Sequence, residues 1–140
     1  MPSRPHAFHI RMTKDIASRE DIDALMASFY GRAMSDPVIG PLFTEVAQLD
    51  LEHHLPVIGD FWESTLFGSG VYSRHRRNPL LVHAELDRKS PLEPHHFQRW
   101  LELFTSSVDE SFAGLRADYA KQRGHAIARR MLEFLGTEQK

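Results

Sequence analysis

Four side chains in this sequence are of types that can ligate a metal or hydrogen-bond to a small polar ligand: His83, Tyr30, His54 and Trp100. His83 follows Asn78-Pro79, an N-cap and first-turn pair, in a short helical run with Leu80 and Leu86. An imidazole nitrogen is a good metal ligand, and the other ring nitrogen then needs an acceptor that fixes the ring. The helical carbonyl of Pro79 or Leu80 can supply it. Read alone, a histidine in an apolar helix is more often a hydrogen-bonded structural residue. Tyr30 lies four residues beyond Met26, beside an apolar helix face, and carries a hydroxyl that can donate. Trp100 offers a pure donor, the indole N–H. Both are equally good core fillers, since aromatics at helical spacing usually pack. His54, next to His53 near a helix start, can donate, gate a pocket edge, or simply cap or face solvent.

Other chemistries find no support. The sequence has no cysteine, which excludes disulfides, thiolate metal sites, iron–sulfur clusters and covalent C-x-x-C-H haem attachment. No G-x-S-x-G occurs, and Gly68-Ser69-Gly70 lacks the strand–turn–helix context of a nucleophile elbow. P-loop and dinucleotide glycine motifs are missing. A di-iron bundle wants two E-x-x-H motifs, and only Glu93-Pro94-His95-His96 fits that pattern.

The elements that must carry these residues are helical throughout. Ser18 is an N-cap for a helix whose apolar face is Ile22, Leu25, Met26, Phe29 and Ala33, ended by Asp36-Pro37. A one-turn helix fits between there and Phe43, with Gly40-Pro41 as a turn. A second helix runs from about Pro56, or from Asp50 with a kink at Pro56, to Phe67, and Gly68 stops it. His54, Ile58, Phe61, Trp62 and Thr65 share one of its faces. A polar, basic loop from Tyr72 to Asn78 leads to the short helix of His83. A long helix from about Pro94 to Phe112 aligns Phe97, Trp100, Leu101, Phe104 and Val108. The last, about Ala117 to Leu135 with Tyr119, Ile127, Met131 and Phe134, ends at Gly136. Uneven helix lengths argue for a globin-like packing over a simple four-helix bundle.

At 140 residues, 41% hydrophobic and 26% charged, with a net charge of -2, the chain suits one domain with an ordinary core. No basic stripe points to nucleic acid. No segment reads as a signal peptide or a membrane span, so the expected location is the cytoplasm. The pairs His6/His9 and His95/His96 read as surface residues.

Several segments in order resemble the group III truncated haemoglobins, a family of bacterial globins. They are Phe29-Tyr30, Gly40-Pro41-Leu42-Phe43, His54-Leu55-Pro56 leading to Asp60-Phe61-Trp62, Pro79-Leu80-Leu81-Val82-His83, and His96-Phe97-Gln98-Arg99-Trp100-Leu101. The match spans roughly residues 18 to 135. The resemblance implies an all-α truncated globin fold, a two-over-two helical sandwich around one haem b. It implies a single globin domain over 1–140, with 1–17 as an irregular arm. By position, His83 matches the proximal iron ligand, Phe43 the phenylalanine against the porphyrin, and Tyr30, His54 and Trp100 the distal polar set. Candidate pocket walls are Phe43, Ile58, Phe61, Trp62, Tyr72, Leu80, Leu86 and Phe104. Arg76 and Arg77, in the unusual run Arg74-His75-Arg76-Arg77, are candidates for the propionates. The implied function is binding of a diatomic ligand (oxygen, nitric oxide or carbon monoxide). Nitric oxide dioxygenase or peroxidase-like activity is a further expectation, the former with an unidentified reductase. The expected protein is a monomer or weak dimer, without membrane or nucleic acid partners. The alternative is a haem-free helical interaction or regulatory domain on the same fold.

Overall fold

The computed structural model describes residues 13–76 and 78–138. Arg77 and the His6/His9 pair therefore lie outside the described residues. Helix α1 spans Arg19–Ser35 and begins where Ser18 Oγ accepts the Asp21 N–H at 3.3 Å, with Glu20 and Asp21 in its first turn. It buries Ile22, Leu25, Met26, Phe29, Tyr30 and Ala33. The chain then turns on Asp36, whose carboxylate accepts the N–H groups of Val38 and Ile39 at 3.0 and 3.1 Å. Gly40 passes so close to α1 that a Cβ there would sit 2.7 Å from the Met34 carbonyl oxygen. The one-turn helix expected before Phe43 lies later in the chain: Leu42–Val46 form a π-helical turn that contains Phe43.

Helix α2 spans Leu51–Phe67, so it takes the earlier of its two expected starts and holds Pro56 inside. It stops at Gly68, whose φ of 69° is the left-handed conformation that glycine adopts at no steric cost. A 3₁₀ turn, Val71–His75, occupies part of the expected loop. Helix α3, Pro79–Lys89, is capped by Asn78, whose side chain accepts the Leu80 N–H at 3.0 Å. Helix α4 runs Pro94–Ser111 and α5 Leu115–Glu138. Gly136 thus lies within α5 and does not end it, and Tyr119 is 44% exposed, outside the core.

Helix α1 packs on α2 and α4, α4 on α5, and α3 lies on α5 as a bracket at one side. Two helices stand over two: this is the truncated globin fold. Its centre is aromatic. Trp62 and Trp100 each stack on the fully buried Phe104, at 5.0 and 5.2 Å between centroids, and Phe29 meets Phe104 edge-on at 5.8 Å. Residues just before α1 are part of this core: Ile16 is fully buried, and the Lys14 carbonyl accepts the Ala113 N–H at 2.9 Å. No described helix is long and apolar enough to cross a membrane.

Candidate functional site

A cavity of about 280 Å³ opens between α1, α2, α3, α4 and α5, with almost wholly apolar walls. That is near the lower end of the volumes in which small molecules bind. Among the described residues no Lys, Arg, Asp or Glu lines it; its polar side chains are Tyr30, His54, Trp62, Tyr72, His83, His96 and Trp100.

Helix α3 turns one face to the cavity. Pro79, Val82, His83 and Leu86 line it at the spacing of a single helical stripe. Leu80 falls about 100° from Pro79 on the helix and does not line it. His83 Nδ1 lies 2.7 Å from the Pro79 carbonyl oxygen. A carbonyl only accepts, so Nδ1 carries the proton and Nε2 bears the lone pair. Asp87, buried in the same helix, accepts the Leu92 N–H at 2.7 Å and fixes the turn towards α4.

On the side of α1 and α2, the Tyr30 hydroxyl lies 2.9 Å from His54 Nε2. The rings meet edge-on at 5.3 Å, and Phe43 closes on Tyr30 at 5.8 Å. Burial pushes the Tyr30 hydroxyl well above the usual tyrosine range, so it keeps its proton. Pro56 comes two residues after His54, in the early part of α2, so His54 is held on a continuous helix.

Of the residues expected at a pocket, Tyr30, Phe43, His54, Ile58, Phe61, Trp62, Tyr72, His83, Leu86 and Trp100 are brought together around this one cavity. Phe104 is not at the wall but behind it, covered by the two tryptophans that stack on it. Arg76 is exposed and off the cavity. The neighbouring basic residues serve the buried Asp60: His75 Nε2 lies 2.8 Å and Arg74 3.6 Å from it, and it also receives Arg19 at 2.7 Å.

The structure also corrects one placement. His96, expected on the surface, lines the cavity, with its Nδ1 accepting the Glu93 N–H at 2.9 Å. Its position three residues after the N-cap of α4, one turn before Trp100, is the signal that could have placed it there. Leu49, Leu92 and Met131 were missed as well; they reach the wall through loop and α5 geometry that sequence spacing does not encode.

Paired helices around an apolar cavity define the fold class: the truncated globin fold. The resemblance to group III truncated haemoglobins, first read from ordered motifs, holds in both sequence and fold. The chain is 29% identical over 120 residues to the group 3 truncated hemoglobin ctb of Campylobacter jejuni, covering 84% of this chain and 90% of that protein. The crystal structure of group III truncated hemoglobin from Campylobacter jejuni superimposes with a TM-score of 0.76 at 29% identity, over 89% of this chain and 95% of that one. No family model matches the chain.

Proposed function

We propose that this chain is a haem protein that binds diatomic ligands, with haem b in the cavity, His83 as the proximal iron ligand, and Tyr30, His54 and Trp100 on the distal side. The observation that carries this reading is the fixed tautomer of His83. Its Nδ1–H is committed to a backbone carbonyl, so its lone pair is on Nε2, in a residue that lines a mostly apolar cavity. Among the described residues, no three His, Cys, Asp or Glu side chains come together as a metal site. A metal held through His83 must therefore bring its other ligands with it, as a porphyrin does. Flat apolar walls, with aromatic rings of Phe43, Phe61 and Trp62, suit such a group.

When bound, haem supplies reversible coordination and one-electron chemistry of a diatomic ligand. The chain supplies the rest. Tyr30, kept protonated by burial, can donate to a ligand that gains negative charge. If His54 carries its proton on Nε2, the tyrosine oxygen accepts that bond and the phenolic proton is released towards the cavity. Trp100 can add an indole N–H. Two or three donors hold oxygen tightly, which suits oxygen or nitric oxide redox chemistry or scavenging better than transport. A dioxygenase cycle would need electrons from a separate reductase.

Absorbance spectra of the protein expressed with haem supply, oxidised, reduced and with carbon monoxide, test the reading against His83→Gly. A Soret band with stoichiometric haem, shifted by carbon monoxide and lost or disturbed in the variant, is expected. A folded protein without a Soret band after haem reconstitution would leave a haem-free helical domain. Unchanged spectra and haem content in the variant would remove His83 as the ligand.

A further inference from the structure

The cavity holds two histidines that backbone groups fix in opposite tautomers. His83 gives its proton to a carbonyl and keeps a lone pair on Nε2. His96 does the reverse: its Nδ1 lies 2.9 Å from the Glu93 N–H, which only donates, so Nδ1 is the acceptor and the proton of the neutral ring is on Nε2. Burial, and then the neighbouring His95, hold His96 below the usual histidine range, so the ring is neutral at pH 7. That Nε2–H makes no hydrogen bond to a described residue. A lone pair is what a metal takes. An N–H is what an anion or a carbonyl takes.

Among the described residues no Lys or Arg lines the same cavity. The Arg74 and His75 side chains turn to Asp60, and Arg76 lies off the cavity. Tyr30 and His54 are engaged with each other. A haem entering here carries two carboxylates into a site with few donors to meet them. We propose that His96 is a binding residue for the carboxylate edge of the haem, its Nε2–H donating to a propionate. This rests on the haem reading above and assigns to α4 a role expected of the basic loop.

Haem release to excess apomyoglobin tests it, followed by absorbance for the wild type and for His96→Glu, His96→Gln and His96→Leu. Glutamate and glutamine at this helix position both accept the Glu93 N–H, so the start of α4 is kept. Only glutamine keeps a donor. Each protein is loaded with iron protoporphyrin IX and, separately, with its dimethyl ester, which has no carboxylate. His96→Glu should release the natural haem about ten-fold faster or more, and His96→Leu should also be faster, as loss of a bond to a charged group implies. His96→Gln should stay within about two-fold of wild type on the same reasoning. With the dimethyl ester these differences should vanish. Equal release from the Glu, Leu and wild-type proteins, or the same acceleration with both porphyrins, would overturn the proposal. Should His96→Glu fail to fold, the leucine variant decides by the same comparison. Absence of a Soret band in the wild type would instead overturn the haem reading itself.

Discussion

Tyr30 is packed edge-on against Phe29 at 5.0 Å and Phe43 at 5.8 Å, and among the described residues its hydroxyl is bonded to His54 alone. Removing that oxygen leaves the aromatic packing in place and takes away the donor proposed for a bound ligand. Hydrogen bonds to charged groups contribute about 1.5–3 kcal/mol, so Tyr30→Phe should speed oxygen release from the haem-loaded protein by about ten-fold or more. Stopped-flow displacement by carbon monoxide measures this directly, and an unchanged off-rate would take Tyr30 out of the distal set. The fixing of His83 by a helical carbonyl was legible in the sequence, because Asn78-Pro79 sets the helix start and the bond follows from i to i+4 spacing. The pairing of Tyr30 with His54 was not legible from spacing. It joins two helices across 24 residues, and only the family resemblance suggested that the two share a site.

At the scale of elements, the starts of α1 and α3 were readable because a side chain caps each of them locally, and the end of α2 because Gly68 must be left-handed. Gly136 misled because a glycine stops a helix only when the chain beyond it has somewhere else to go; α5 runs straight through it. What no local pattern could show is the joint between α1 and α2. Arg19 reaches Asp60, Glu63, Asp23 and the Pro56 carbonyl, and its guanidinium lies over Gly59, where a Cβ would come within 2.6 Å of Nη2. Four partners hold that guanidinium, so it cannot swing aside cheaply. Gly59→Ala should therefore destabilise by about 1–3 kcal/mol, the usual cost of overpacking, although alanine is the better helix former. With Arg19→Ala already present, the same change should become neutral or stabilising, by up to about 1 kcal/mol. A double-mutant cycle in urea reads the sign, and additive effects would mean that the clash is not with Arg19.

Across the whole molecule, long-range order depends on carboxylates that the sequence showed only as scattered charge. Asp15, just before α1, caps the first turn of α5: it accepts the N–H groups of Arg116 and Ala117 at 3.0 and 2.8 Å. Gly114 makes room for it, since a Cβ there would lie 2.5 Å from Asp15 Cγ. Asp36 joins α1 to α4 through Arg99 at 2.8 Å. Each of these groups, with Asp60, is held below the ordinary carboxylate value of 3.8. For Asp36 the cause is foremost the Arg99 hydrogen bond; for Asp15 and Asp60 burial pushes upward and is outweighed, by backbone N–H groups in the first and by His75 and Arg19 in the second. A carboxyl whose folded pKa is depressed contributes stability that is fully present above its unfolded pKa and is lost as pH falls through the folded value. The urea midpoint should thus show little pH dependence from these groups between about pH 7 and 5, where their contribution is fully present, and fall steeply below about pH 4. Asp36→Asn isolates one of them. It should lower stability at neutral pH by about 1–3 kcal/mol, because Arg99 loses its charged partner and the buried acceptor weakens. The gap to wild type should close as pH falls through the depressed folded value of Asp36, where the wild-type carboxyl is itself protonated. A gap that stays constant down to the lowest pH would mean that Asp36 acts through shape alone, and that acid unfolding of this fold begins elsewhere.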